Sequence, residues 1–311
     1  MKIVIVGPGA TGCIFAALLS KIAGHALWIL DKNKERAAKL NEQGITVEGV
    51  SGDWKADVKA TAEAKDITDA DLVIITVKSY DTKEAISRAK PIIRQNTKIL
   101  TLQNGIGNIE IISEVVGAEK VIGGVTNLGV TLIGTGHVRH AGKGETVIGK
   151  IDGKIPVEMR YIREIFNQAG LETRISRDIK GLLWSKLIIN VGINALSAIT
   201  RLVNGKLIVL EATRRIMRDA VTEATRVAKR KRVKLVYDDP LAKVEAVCEA
   251  TSTNVSSMLQ DILRKKRTEI DFINGVIVRQ GQELGIPVPV NTLLLDLVKT
   301  IEVSYSLVVD K

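Results

Sequence analysis

The sequence predicts an α/β chain, with a mostly parallel, doubly wound sheet in its first part and an all-α domain in its second. Three observations carry this. Short apolar runs alternate with segments of helical period, a glycine-rich turn separates the first run from the first helix, and β signals stop near residue 176. Beyond that point apolar residues recur only at helical spacing, which places the domains at 1–177 and 178–311. A chain of 311 residues suits two domains, and 45% hydrophobic residues supply material for two cores.

The elements follow in order. The apolar run 3–6 feeds into Gly7-Pro8-Gly9-Ala10-Thr11-Gly12, and a helix is expected over 13–22. In such a turn the first glycine permits the tight bend. The second lets a pyrophosphate approach the backbone, and the third lets the helix pack on the strand. The free N–H groups of the helix N-terminus complete an anion site. With a strand before and a helix after, this is the fingerprint of a Rossmann-type dinucleotide-binding unit. A second strand, Ala26–Leu30, ends in Asp31, nineteen residues past Gly12, where an acid accepts hydrogen bonds from an adenosine ribose. A helix Lys34–Gln43 follows, then a hairpin in 45–60 around Ser51-Gly52-Asp53. A strand over 72–77 ends at Lys78, a helix over 82–90 is closed by Pro91, and a strand over 98–102 ends at Gln103-Asn104-Gly105. Another helix runs to about 116. Short β segments broken by glycine fill 120–149, a helix covers 155–168, and a last strand covers 171–175. The helical half reads as 178–203, 208–232, 241–252, 256–265, 268–285 and 292–307.

Composition excludes several classes. The net charge of +10 and the basic runs KRKRVK (229–234) and RKKR (264–267) favour anionic small molecules. Aromatic residues are only 3%, too few for a nucleic-acid platform, so no nucleic-acid partner is expected. Cys13 and Cys248 lie far apart and imply neither disulfide nor metal, and Cys13 reads as a packed small residue. His137 and His140 fall in a hairpin whose alternate residues diverge, so no metal site is expected. The most apolar window, 182–199, contains Ser185, Lys186, Asn190 and Asn194 and reads as a buried core helix rather than a membrane span. The first strand begins at once, which leaves no room for a signal peptide, and a cytoplasmic protein is expected.

Polar residues stand where the pattern calls for apolar ones. Lys78 and Asn104 close two strands of the parallel sheet, where ligands bind in this fold, although Asn-Gly is also a strong turn former. Lys186, Asn190 and Asn194 recur every four residues and form one stripe about 12 Å long on an otherwise apolar helix. Burying an unpaired amide costs about 1–3 kcal/mol, so the stripe needs partners, either other helices or a ligand. A partly desolvated lysine can protonate a carbonyl oxygen. Asn254 can serve as an N-cap with Ser256 and Ser257 in the first turn, or the hydroxyls can hold a carboxylate. Glu269 reads equally as a solvated first-turn acid or as a site residue.

These segments together resemble the ketopantoate reductase (2-dehydropantoate 2-reductase) family. The resemblance rests on GPGATG at 7–12, VK at 77–78, QNG at 103–105, WSKLIINVGIN at 184–194, NG at 204–205, TSTNVSSMLQD at 251–261 and TEIDFING at 268–275. It implies that Lys186 is the general acid and that Glu269 organises substrate and lysine. It further implies that Asn190, Asn194, Asn204, Asn254 and Ser257 hold the substrate's hydroxyl and carboxylate, with Lys78 and Asn104 between cofactor ribose and substrate. The implied activity is reduction of ketopantoate in the route to pantothenate and coenzyme A.

The resemblance implies NADPH, for which such enzymes commonly place arginine at the end of the second strand. Here Asp31 stands there, followed by Lys32 and Lys34. A carboxylate repels a 2′-phosphate and binds a free 2′-hydroxyl, so NADH is expected to serve at least as well. The expected partner is a small anionic 2-oxo acid, with another branched 2-oxo acid as the alternative substrate. A non-catalytic dinucleotide sensor is the remote alternative. No membrane partner is expected, and the helical domain is expected to form a homodimer.

Overall fold

The computed structural model describes residues 1–307 in two units, one formed by Met1–Gln103 and Gly107–Ile179 and the other by Asn104–Ile106 and the chain from Lys180 onward. In the first unit the order is β1 (Lys2–Val6), α1 (Ala10–Leu19), β2 (Ala26–Leu30), α2 (Lys34–Gln43), β3 (Ile45–Gly49), β4 (Trp54–Ala56), β5 (Lys59–Thr61) and β6 (Ala70–Ile75). It continues with α3 (Thr82–Ala89), β7 (Ile93–Thr101), α4 (Asn108–Val116), β8 (Val121–Thr126), β9 (Gly129–Gly134), β10 (His137–Gly142), β11 (Thr146–Gly149), α5 (Val157–Gln168) and β12 (Thr173–Ile175).

Eight of these strands form one sheet in the order β12-β11-β8-β7-β6-β1-β2-β5. The six from β5 to β8 are parallel, and β11 runs against β8. The chain crosses from β1 outward to β2 and then back to β6 on the other side, so the order reverses at β1/β6. Loops at the carboxyl ends diverge at such a point and leave a crevice. Both faces of β1 are covered, which is why its sequence is continuously apolar. Ile3 and Ile5 pack with Ile14 and Phe15 of α1 and Phe166 of α5, while Val4 and Val6 pack with Ile86 of α3 and Ile112 of α4. Phe15 and Phe166 meet edge to face at 5.6 Å.

The expected hairpin in 45–60 forms, but only as β3 against β4. It belongs to a separate four-stranded sheet, β4-β3-β10-β9, while β5 leaves to join the edge of the large sheet. Both edges of the large sheet are closed in the same way. The Asn41 amide donates to Ala60 O (2.6 Å) and accepts from Ala60 N (2.8 Å) on β5. The Asn167 amide does the same with Thr173 of β12, at 3.0 and 2.7 Å. A side-chain amide thus stands in for a neighbouring strand at each otherwise open edge.

The second unit is helical: α6 (Ile179–Thr200), α7 (Asn204–Val209), α8 (Glu211–Arg230), α9 (Pro240–Ala250), α10 (Ser257–Leu263), α11 (Asn274–Leu284) and α12 (Pro289–Val303). The α6 helix is long and apolar enough to cross a membrane, but 67% of its most apolar window is buried. Trp184, Leu187, Ile188 and Val191 pack with Met217 and Val221 of α8 and Val244 of α9. At Gly192 a Cβ would lie 2.8 Å from Val244 Cγ1, so glycine is required for the helices to touch there. The expected segment 208–232 divides at Leu210, whose extended backbone separates α7 from α8. The expected helix 268–285 is also interrupted. A short 3₁₀ turn, Ile270–Phe272, ends at Ile273 (φ −113°, ψ −94°), and α11 starts only at Asn274.

Candidate active site

At the carboxyl end of β1 the glycine loop has the geometry its spacing predicts. Gly7 has φ +98°, and its N–H donates to Leu30 O at 3.1 Å. A Cβ on Gly12 would lie 2.1 Å from Gly7 O, so helix and loop close only with glycine there. A Cβ on Gly9 would meet nothing nearer than Thr76 O at 4.0 Å, so this backbone faces open space. Gly9 is also the N-cap of α1 and provides no side-chain cap, with Ala10, Thr11 and Gly12 in the first turn. Pro8 O accepts from the Cys13 thiol at 3.4 Å. These residues fit a pyrophosphate, with an open backbone concavity on a helix N-terminus. Cys13 is fully buried, and burial pushes its thiol up to about 12, which agrees with a packing role.

Thr76, which the sequence reading did not single out, locks the loop from β6. Its hydroxyl donates to Gly7 O (2.8 Å) and Val6 O (3.1 Å). The half-buried Lys78 follows two residues later. Gln103 is a second addition. Its amide donates to Val77 O (2.9 Å) and to Thr82 Oγ1 (2.7 Å), and its carbonyl accepts from Thr101 Oγ1 (3.0 Å). Thr82 in turn donates to Asn108 Oδ1 (2.8 Å), and Asn108 donates to Ser79 Oγ (3.1 Å). This buried network ties the segment bearing Lys78 to the strand end that precedes Asn104.

The end of β2 differs from the expectation in its partners. The Asp31 side chain is 1% exposed and is gripped by the Arg36 guanidinium, Nε on Oδ2 and Nη2 on Oδ1 (2.5 Å). Lys32 reaches Asp81 (3.1 Å) and Glu84 (3.7 Å), and Lys34 reaches Glu63 (3.1 Å). Asn33 shapes the turn, since its side chain accepts from Arg36 N at 2.8 Å and caps α2.

In the second unit, α6 carries Lys186 and Asn190, both half-buried, and Asn194, which is buried. Burial draws the Lys186 ammonium down to about 8, and the nearby negative charge of Glu269 opposes that shift. Glu269 is itself buried, which removes the solvated-acid reading. The structure thus brings Lys186 and Glu269 together from segments far apart in sequence. Asn204 is buried at the start of α7. It donates to Thr251 Oγ1 at 2.9 Å, and its own N–H donates to Asn254 O at 3.0 Å. Its Oδ1 is buried and has no hydrogen-bond partner among the described residues. Such an orphaned acceptor is expensive unless a ligand donates to it.

The N-cap of α10 is Ser256, not Asn254. Ser256 Oγ accepts from Leu259 N (3.1 Å) and pairs with Ser197 Oγ of α6 at 2.5 Å. Asn254 and Ser257 are left exposed. Asn104 belongs to the short segment counted with this unit, where Ile106 N donates to Phe272 O at 3.1 Å, close to Glu269 in sequence.

Two family models and several relatives match most of the chain. Residues 3–153 match the family model for ketopantoate reductase PanE/ApbA, and residues 178–302 match the model for its C-terminal domain. The 2-dehydropantoate 2-reductase of Pyrococcus horikoshii is 38% identical over 302 residues, 97% of this chain and 98% of the relative. That of Archaeoglobus fulgidus is 35% identical over the same length and coverage. Among solved structures, a PanE/ApbA family ketopantoate reductase from Ralstonia eutropha superposes with a TM-score of 0.90 at 37% identity, covering 98% of this chain and 99% of its own. A D-mandelate dehydrogenase bound to NADH and anilino(oxo)acetate superposes with a TM-score of 0.91 at 25% identity, covering 99% and 100%.

Proposed function

The chain belongs to the ketopantoate reductase family, and from that premise we propose how its residues divide the work of reducing 2-dehydropantoate to (R)-pantoate. It is an NAD(P)H-dependent oxidoreductase of pantothenate and coenzyme A biosynthesis. A bound dihydronicotinamide supplies the hydride that reaches C2 of the keto acid. Gly7, Pro8, Gly9, Ala10, Thr11 and Gly12 hold the pyrophosphate, and Lys78 and Asn104 bridge ribose and substrate. Lys186 donates its proton to the ketone oxygen as charge develops there, and Glu269 keeps the ammonium protonated and oriented. Asn190, Asn194, Asn204, Asn254 and Ser257 fix the carboxylate and hydroxyl, and Asn204 Oδ1 is the acceptor that a substrate hydroxyl completes.

The observation that carries this reading is a lysine drawn down to about 8 beside a buried glutamate. Replacing Lys186 with alanine is expected to lower turnover by roughly 100-fold or more while leaving nucleotide affinity nearly unchanged. Near-normal turnover would end the assignment. The likeness to a mandelate dehydrogenase gives a second reading, another branched 2-oxo acid. A panel of 2-oxo acids decides it, since preference for a substrate without the 4-hydroxyl would favour that reading.

The finer reading of the cofactor is that NADH serves at least as well as NADPH. The Arg36 fork that a 2′-phosphate would need is already taken by Asp31. The helical domain is read as a homodimerisation domain, and a concentration series that stays monomeric would refute it. A cytoplasmic location, where the biosynthetic substrate and reduced nucleotide are available, completes the proposal.

A further inference from the structure

We propose that the buried hydroxyl pair Ser197–Ser256 positions the substrate grip, by fixing the segment that bears Asn254 and Ser257 against the turn of α6 that bears Asn194. The inference rests on the reading of those three residues as the hold on the 2-oxo acid, and it adds two buried side chains that act through them. The bonds run in one direction. Ser197 is fully buried inside α6, and Ser256 is buried just before α10. Ser197 Oγ donates to Asn194 O, three residues back, at 3.0 Å. That uses its one hydrogen, so in the 2.5 Å contact between the two hydroxyls Ser256 donates and Ser197 accepts. Ser256 Oγ still accepts from Leu259 N at 3.1 Å, which caps α10. A single chain of bonds therefore leads from Leu259 N through both hydroxyls to the carbonyl of Asn194. Each hydroxyl hydrogen in it has an acceptor, and burial keeps water from competing.

The same segment is held at its other end by α7. Asn204 N donates to Asn254 O (3.0 Å), Gly205 N to Ser252 O (3.1 Å) and Asn204 Nδ2 to Thr251 Oγ1 (2.9 Å). A Cβ on Gly205 would lie 2.7 Å from Ser252 Cβ, so α7 and the loop are in direct contact. Asn254 lies between the two anchors, and Ser257 directly follows the second. Both side chains are exposed, and residues 251–256 have no helix or strand of their own to hold them. Exposed binding groups on such a loop are only as well placed as its anchors. Gln260 Nε2 also donates to Val255 O at 3.0 Å, but Gln260 belongs to α10 and moves with it. The hydroxyl pair is the bond that reaches α6. Without it the spacing between Asn194 and Ser257 is no longer set, while Lys186 keeps its place two turns earlier on α6. The loss therefore falls on substrate binding rather than on proton transfer.

The test follows reduction of 2-dehydropantoate at saturating NADH by the wild type, Ser197→Ala, Ser256→Ala, the double variant and Ser256→Thr, with NADH affinity read separately by nicotinamide fluorescence. KM for 2-dehydropantoate is expected to rise about fivefold or more in each alanine variant, with kcat and the NADH Kd within about twofold of wild type. Because the two hydroxyls act as a unit, KM of the double variant should stay within about threefold of the worse single variant. Ser256→Thr keeps both the donor and the cap, and its KM should lie within about twofold of wild type. A merely structural role lowers Tm and leaves KM unchanged; that result overturns the proposal. So does a loss confined to kcat, or a double variant whose KM rises by the product of the two single effects. Should Ser256→Ala unfold α10 with the loss of its cap, Ser197→Ala decides alone, since it leaves the bond to Leu259 N in place. A wild type that binds NADH but reduces no 2-oxo acid would instead overturn the reading of the site itself, and this inference with it.

Discussion

The acidity of Lys186 should be visible in the pH dependence of the reaction. Burial draws the ammonium from 10.5 down to about 8, and Glu269 limits the fall. As general acid Lys186 must be protonated, so kcat/KM, which reports the free enzyme, is expected to be level below pH 7 and to decline above about pH 8. One pH unit past that midpoint about a tenth of the lysine keeps its proton, so kcat/KM at pH 9 should be about tenfold below the plateau. Glu269→Gln removes the opposing charge at nearly constant shape. An opposite charge at close range is worth about 1–3 pH units, and residual solvent access at Lys186 argues for the lower end, so the midpoint should move to about pH 7. The assay follows nicotinamide absorbance at saturating NADH from pH 6 to 10 with subsaturating 2-dehydropantoate. The amplitude in Glu269→Gln will also drop, but the position of the limb is the readout. A wild-type profile level to pH 9.5, or a Glu269→Gln limb that stays in place or moves to higher pH, would refute the assignment of Lys186 as an acid tuned by Glu269.

Four further outcomes follow from the same geometry. Because the folded state holds the Lys186 proton less tightly than the unfolded state, wild-type stability should rise with pH between about 8 and 10.5 relative to Lys186→Met, by about 1–2 kcal/mol once solvent access is discounted; denaturant titration at several pH values reads this difference. Gly12→Ala, whose new Cβ would collide with Gly7 O, should lose about 2 kcal/mol or more of stability. Gly9→Ala, with open space at that position, should keep its Tm but weaken NADH at least about tenfold by calorimetry. Asn204→Ala should raise KM for 2-dehydropantoate about tenfold or more with little change in the nucleotide Kd, and an unchanged KM would show that its Oδ1 meets no substrate.

How far the sequence could be read depended on whether the cause was local. The parallel strands announce themselves because a strand covered on both faces must be apolar throughout, as Ile3, Val4, Ile5 and Val6 are. The glycine loop is legible because Gly7 answers a positive φ, Gly12 answers a collision with Gly7 O, and Gly9 leaves its backbone open, all within one turn. The stripe on α6 is legible because amides and a lysine at four-residue spacing contradict the apolar helix that carries them. The second sheet was not legible, because β3 pairs in parallel with β10 some ninety residues later, and no local pattern encodes that register. The break at Ile273 was hidden by apolar spacing that runs on through Ile270, Ile273 and Ile277, with no glycine or proline between Ile270 and Ile273 to mark it.

Asp31 shows how a local rule overlooks a partner that the backbone brings in. An acid at the end of the second strand marks the ribose position because the fold fixes where that strand ends. What the acid does there depends on what else the turn brings to it. Arg36 looks in the sequence like any surface residue of an amphipathic helix, and nothing in its spacing from Asp31 marks it as a partner. The turn at Asn33 swings the first turn of α2 back over the strand end, so a residue five positions on becomes the nearest cation. Meanwhile Lys32 and Lys34, nearer in sequence, are directed to other acids. A carboxylate that is 1% exposed and doubly bonded to a guanidinium cannot repel a phosphate as a lone charge would. Changing Asp31 alone will therefore release Arg36 as much as it removes a negative charge.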